Sequence, residues 1–77
     1  MNTRTFKKVL INRESMLAKY DKVNKMNLQT SEEANDKYQM RTYWQDKRPA
    51  YKYYKYKSGT AYLHDFINQV NYQYIPD

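Results

Sequence analysis

The fold prediction depends most on residues 41–57, which read RTYWQDKRPAYKYYKYK. The last seven of these positions hold four tyrosines and three lysines. In one interpretation, a helix that begins near residue 31 continues to about Lys47, because Pro49 disfavours helical backbone at the residue before it. In the other, that helix ends near Met40, and residues 41–45 and 50–56 form a β-hairpin, as their aromatic residues and threonine favour.

The tyrosine spacing does not decide between these two interpretations. In a strand, Tyr51 and Tyr53 face one side while Tyr54 and Tyr56 face the other. In a helix, the four rings point in all directions. Under either assignment at least one or two of these rings face solvent or a partner, so we expect the segment to present a surface rich in tyrosine and lysine.

The N-terminal segment, residues 4–26, has the pattern of an amphipathic helix. Its apolar residues share one face, and a separate face is basic, with Arg4, Lys7, Lys8, Lys19, Lys22 and Lys25. An alternative exists at residues 9–12, which read VLIN. They are also compatible with a short strand that ends just before a helix capped by Asn12.

Two further helices are predicted downstream. The stretch TSEE at residues 30–33 matches a capping box, which predicts a helix that begins near Ser31. After a break at Gly59, residues 60–74 predict a last helix that Pro76 terminates. Its apolar residues follow the i, i+3, i+4, i+7, i+11 rule, and they are Leu63, Phe66, Ile67, Val70 and Tyr74.

The sequence therefore predicts a mainly α protein, a small bundle of two or three amphipathic helices in a single domain over residues 1–77. Residues 41–57 are expected to be irregular or a small β-hairpin. The expected packing residues are Phe6, Leu10, Leu17, Val23, Leu63, Phe66, Ile67 and Val70. Leu, Ile, Val and Phe account for only 12 of 77 residues, so we expect a homodimer or a fold that a partner stabilises.

Several classes of site are not expected. The chain has no cysteine, which excludes disulfides and thiolate metal sites. Helix capping explains Glu32 and Glu33 without a metal ion, and one glycine cannot build a phosphate-binding loop. His64 is the only histidine, and its neighbour Asp65 would diverge from it on a helix. We expect no enzyme, no cofactor, no membrane span, and a cytoplasmic location.

The charge pattern is the main functional signal. The formal net charge is +6, and residues 1–28 and 47–57 each contribute +5. Basic side chains neutralise phosphates, and tyrosine rings stack on bases. Residues 51–57 combine both features, which suit a surface that binds nucleic acid and equally a tyrosine-rich docking patch for another protein. A third interpretation is a structural segment whose tyrosines cover a thin core while its lysines keep the protein soluble.

The leading prediction is therefore non-catalytic nucleic-acid binding through lysine–phosphate contacts and tyrosine stacking. The alternative is a small inhibitor or adaptor of the phage or plasmid type, which docks on an acidic surface of a host protein through the same residues. Under both hypotheses the predicted binding residues are Lys7, Lys8, Lys19, Lys22, Lys47, Arg48, Tyr51, Lys52, Tyr53, Tyr54, Lys55, Tyr56 and Lys57.

Overall fold

A computed structural model of the chain describes residues 6–34 and 36–76. Within them the chain forms a six-stranded sheet and one α-helix, which corrects the prediction of a helical bundle. In chain order the elements are β1 (Lys7–Leu10), α1 (Arg13–Asn24), β2 (Gln29–Ala34), β3 (Tyr38–Gln45), β4 (Arg48–Tyr56), β5 (Ala61–Asp65) and β6 (Val70–Tyr74).

The strands lie in the order β1-β6-β5-β4-β3-β2. Strands β2 to β6 form an antiparallel meander, whereas β1 pairs with β6 in parallel. Because β1 and β2 are the two edge strands, the segment between them must cross the whole sheet. Five strand spacings amount to about 24 Å, and the 12-residue α1 covers about 18 Å of that distance. The crossing places α1 over one face.

The single helix predicted over residues 4–26 is wrong in its first part. Residues 7–10 are β1, and α1 begins after Asn12, whose side chain accepts a hydrogen bond of 2.7 Å from the backbone N–H of Ser15. The structure therefore matches the alternative of a short strand and an Asn12 cap. The basic helical stripe does not form, because Lys7 and Lys8 lie on β1. Its first member, Arg4, lies outside the described residues.

The helix predicted to begin near Ser31 is also wrong, because residues 29–34 are the edge strand β2. Glu32 stands opposite Arg41 of β3, and their side chains form an ion pair. Cross-strand pairs of opposite charge stabilise a sheet. The local capping pattern is therefore overridden by pairing with β3.

The structure agrees with the hairpin alternative for residues 41–57. The observed hairpin is longer than the predicted one and lies inside the sheet, not at its edge. Strands β3 and β4 pair from Tyr38 opposite Tyr56 to Gln45 opposite Arg48. Asp46 adopts a positive φ of 59° in the connecting turn, a conformation that Asp tolerates better than most residues.

The helix predicted over residues 60–74 is replaced by β5, a turn and β6. Asp65 sets the turn, because its buried carboxylate accepts hydrogen bonds from the backbone N–H groups of Ile67 and Asn68, each of 3.0 Å, and from the Asn68 side chain. Asp side chains commonly organise turns in this way. The helical spacing of the apolar residues in this segment is thus incidental.

The core lies between α1 and the sheet. Met16 and Val23 of the helix pack against the buried Tyr43, Ala61 and Leu63. Val23 and Leu63 were among the expected packing residues. The exposed large hydrophobic residues include three others from that list, namely Leu10, Leu17 and Ile67.

A polar cluster ties the end of α1 to the sheet. The Arg41 guanidinium donates a hydrogen bond of 2.6 Å to the Tyr20 hydroxyl, and the Tyr43 hydroxyl donates one of 2.7 Å to Asn24 Oδ1. Burial raises the pKa of Tyr43 to about 12. Hydrogen bonding with Tyr43 raises the pKa of Arg41, so this arginine stays charged. The polar groups of this cluster hydrogen-bond to one another, so we assign the cluster a role in stabilising the fold.

Candidate nucleic-acid interface

Strand alternation divides the tyrosine and lysine run between the two sides of the sheet. Tyr51 and Tyr53 pack against the core on the side that α1 covers, which we call the helix side. Tyr54 and Tyr56 contact rings on the opposite side, which we call the open face. The sequence predicted this division for a strand, and β4 produces it.

The open face carries a continuous group of aromatic rings. Tyr54 lies 5.3 Å from the His64 ring, Tyr38 lies 5.4 Å from Tyr56, and Tyr56 lies 5.8 Å from Tyr62. His64 in turn contacts both phenylalanines, which are 5.4 Å apart. We call the group the aromatic cluster, and its members are Phe6, Tyr38, Tyr54, Tyr56, Tyr62, His64 and Phe66.

The sheet register also builds a row of polar residues across the open face. One residue from every strand lies in this row, each in register with the next. We call it the polar row, and from β2 to β1 it contains Ser31, Thr42, Lys52, His64, Asn71 and Lys8. His64 belongs to both groups, so the row and the aromatic cluster are contiguous. Two of its six members are cationic at neutral pH.

A shallow depression of about 530 Å³ lies where the two groups meet. Its polar wall includes Lys8, His64 and Asn71 from three neighbouring strands. The remaining lining residues are Gln73 and four tyrosines of the aromatic cluster, Tyr38, Tyr54, Tyr56 and Tyr62. A ligand in this depression would contact both flat rings and hydrogen-bonding groups.

The electrostatics of the open face keep His64 neutral. Partial burial lowers its pKa, and the charge of Lys52 lowers it further. Burial raises the pKa of Tyr54, so its hydroxyl also stays protonated. The positive charge along the polar row therefore comes from Lys8 and Lys52. These two ammonium groups would meet phosphates, while the neutral rings would stack on bases.

The structure brings four of the predicted binding residues together, and they are Lys8, Lys52, Tyr54 and Tyr56. The other nine are distributed elsewhere. Tyr51 and Tyr53 help to form the core, and Lys19 lies 4.2 Å from the centre of the Tyr72 ring on the helix side. Lys22 is on α1, while Lys7, Lys47, Arg48, Lys55 and Lys57 are exposed on β1, on β4 or in the connections that flank β4.

The sequence interpretation missed Phe6, Tyr38, Tyr62, His64, Phe66 and Asn71. A local signal existed for three of them, since Tyr62, His64 and Phe66 alternate with the buried Ala61, Leu63 and Asp65. That period of two indicates a strand. Asn71 had no local signal, because its position depends on the pairing of β6 with β5 and β1.

Residues 6–34 and 36–76 contain no group of three potential metal ligands. No helix in these ranges is long and apolar enough to cross a membrane. Comparisons with known proteins gave no match to a family model, a curated protein or a solved structure.

Proposed function

We propose that the protein binds single-stranded nucleic acid on the open face of its sheet, without catalysis. The observation that carries this proposal is the contact between the aromatic cluster and a cross-strand row containing Lys8 and Lys52. Stacking of a base on an aromatic ring contributes about 1–3 kcal/mol and tolerates any base. Ammonium groups beside the rings add phosphate contacts, whose strength depends on salt.

Single strands suit this surface better than duplexes. In a duplex the base faces are stacked on each other, so rings on a sheet cannot reach them, whereas unpaired bases can be spread over a sheet. Lys8 and Lys52 lie three strand spacings apart, which corresponds to about 14 Å. Sheets that bind RNA stack two or three bases on their rings, and a surface of this width accommodates a similar number.

Matched lysine variants test the proposal. The first variant combines Lys8→Ala and Lys52→Ala, and the control combines Lys22→Ala and Lys47→Ala. Both lose two charges, but the control positions lie on α1 and in the β3–β4 turn. Affinity for a fluorescent 12-nucleotide oligothymidylate is measured by anisotropy over a series of salt concentrations.

We expect the first pair to weaken binding and to flatten the plot of log K against log salt by about 1.4, since each phosphate contact on a single strand contributes a slope of about −0.7. The control pair should change the slope by less than half of that amount. Equal effects of the two pairs would place the binding surface elsewhere. Absence of binding at low salt would refute the proposal.

Docking on a second copy of the chain is the other candidate, and Leu10 favours it. This side chain lies on the edge strand β1 in register with Gln73, at the border of the open face, and is 72% exposed. Nucleic acid has no need of such an apolar group, whereas protein interfaces use them. If copies of the chain dock there, sedimentation should detect a dimer that Leu10→Lys disrupts. Under nucleic-acid binding, Leu10→Lys should leave the oligonucleotide affinity equal or higher.

A further inference from the structure

Asn71 carries a buried hydrogen-bond acceptor that the fold does not use. The residue is 8% exposed, and its Oδ1 has no hydrogen-bond partner among residues 6–34 and 36–76. Leaving such a group unpaired destabilises the folded state. Buried polar groups are nearly always paired, so an unpaired one calls for an explanation.

Asp65 shows that burial of a polar side chain does not by itself indicate a ligand site. Asp65 is 5% exposed, but three N–H groups from the turn after β5 donate to its carboxylate. It therefore has a complete structural role. Asn71 has no comparable set of donors, and it lines the depression on the open face rather than a turn.

The neighbours of Asn71 indicate what kind of ligand would donate a hydrogen bond to its Oδ1. In the polar row, Lys8 lies in register on one side and His64 on the other. The Lys8 side chain is exposed, and lysine has a flexible four-carbon stem, so its ammonium can reach a ligand in the depression and donate a hydrogen bond to it. His64, Tyr54 and Tyr62 supply ring surfaces beside the same depression. The site thus offers an acceptor, a cationic donor and stacking surfaces.

We infer that this depression recognises one unpaired keto base, guanine, thymine or uracil, whose ring N–H donates to Asn71 Oδ1. In these bases the N–H lies next to a carbonyl oxygen, which would accept from the Lys8 ammonium, as lysine donates to guanine O6 in the major groove of DNA. Adenine and cytosine lack that combination of ring N–H and carbonyl. The inference rests on the proposed function and adds base preference to it.

A base panel with matched amide variants tests this inference. The probes are 12-nucleotide single strands of dT, dA, dC and alternating dT-dG, and the proteins are wild type, Asn71→Leu and Gln39→Leu. Gln39 is an exposed amide of β3 outside the open face, in register with Lys55. Wild type should bind the dT and dT-dG strands at least fivefold more tightly than the dA and dC strands, in line with the usual discrimination of 1–3 kcal/mol for base contacts.

Asn71→Leu should lose this preference, whereas Gln39→Leu should keep it. The thermal midpoint of Asn71→Leu should be equal to or higher than that of wild type, because the substitution removes an unpaired polar group. If Asn71→Leu does not fold, the inference is tested on wild type by NMR of the Asn71 side-chain amide. Its resonances should shift when the dT strand is added and should not shift with the dA strand.

The outcomes separate the inference from the proposed function. A preference retained in Asn71→Leu, or equal binding of all four strands by wild type, would overturn base recognition while nucleic-acid binding stands. Asn71 resonances that do not respond to the dT strand would have the same meaning. Failure of every strand to bind would overturn both.

Discussion

At the scale of single residues, His64 connects the two parts of the proposed interface. Its ring contacts Tyr54 and Phe6 edge-on and stacks on Phe66, while Lys52 and Asn71 flank it in the polar row. The sequence interpretation gave His64 no functional role, because on a helix its neighbour Asp65 would diverge from it. As part of β5, it is flanked by residues of β4 and β6 and contacts Phe6 and Phe66, which lie just outside β1 and β5.

The pKa of His64 in the free protein should lie below its ordinary value of about 6.5, because burial and then Lys52 disfavour the imidazolium. NMR titration of its ring protons measures this directly. A bound oligonucleotide should raise the pKa again, since phosphates offset the charge of Lys52. A value at or above 6.5 in the free protein would contradict the environment that we describe.

The same shift predicts how stability changes with pH. Between the lowered folded pKa and 6.5 the unfolded chain binds more protons at this site, so acid favours unfolding there. The contribution of His64 is complete above 6.5 and is lost as the pH falls through the folded pKa. The loss of thermal stability between pH 7.5 and 5 should therefore be smaller in His64→Gln than in wild type.

At the scale of elements, residues 60–74 show why the helical prediction failed. Their apolar spacing fits a helix, but the alternation of the buried Ala61, Leu63 and Asp65 with half-buried aromatic residues fits a strand. Because the aromatic side of this strand is itself largely apolar, the period of two is weaker than it would be with a polar face. The hydrogen bonds of Asp65 and the pairing of β5 with two neighbours outweigh the helical pattern.

Local signals indicated some features as alternatives that the structure matches. Asn12 marks the start of α1, and the aromatic residues around Pro49 indicate the β3–β4 hairpin. Within the candidate site, Tyr54, Tyr56 and Lys52 come from one strand and could be grouped from the sequence. Lys8 was predicted as a helical residue, and its place beside Asn71 follows from the parallel pairing of β1 and β6, which no local pattern encodes.

The turn between β5 and β6 should depend strongly on Asp65. Asp65→Ala removes the acceptor for two backbone N–H groups and the Asn68 side chain, and we expect a loss of about 2 kcal/mol or more in unfolding free energy. Urea denaturation measures this. Asp65→Asn is the matched control, since its amide oxygen still accepts from both backbone groups, and it should cost less. Equal costs would show that the charge, not the acceptor, stabilises the turn.

At the scale of the whole molecule, one helix cannot cover both faces of a sheet. In the part of the chain that the structure describes, α1 covers one face and the polar cluster around Arg41 secures it. The other face presents aromatic rings that shield one another, with Lys8 and Lys52 among them. We attribute the proposed binding to this second face because α1, the helix of the described chain, lies on the other face.

The ten tyrosines provide the most direct test, because the sheet divides them between its two sides. Tyr38, Tyr54, Tyr56 and Tyr62 belong to the aromatic cluster, whereas Tyr20, Tyr43, Tyr51, Tyr53, Tyr72 and Tyr74 surround the core on the helix side. The measurement is a titration of protein carrying ¹³C-labelled tyrosine rings with the 12-nucleotide dT strand. We predict shifts for the four open-face rings and none for the six others. Shifts confined to the helix-side rings, or no shifts at saturating oligonucleotide, would contradict binding on the open face.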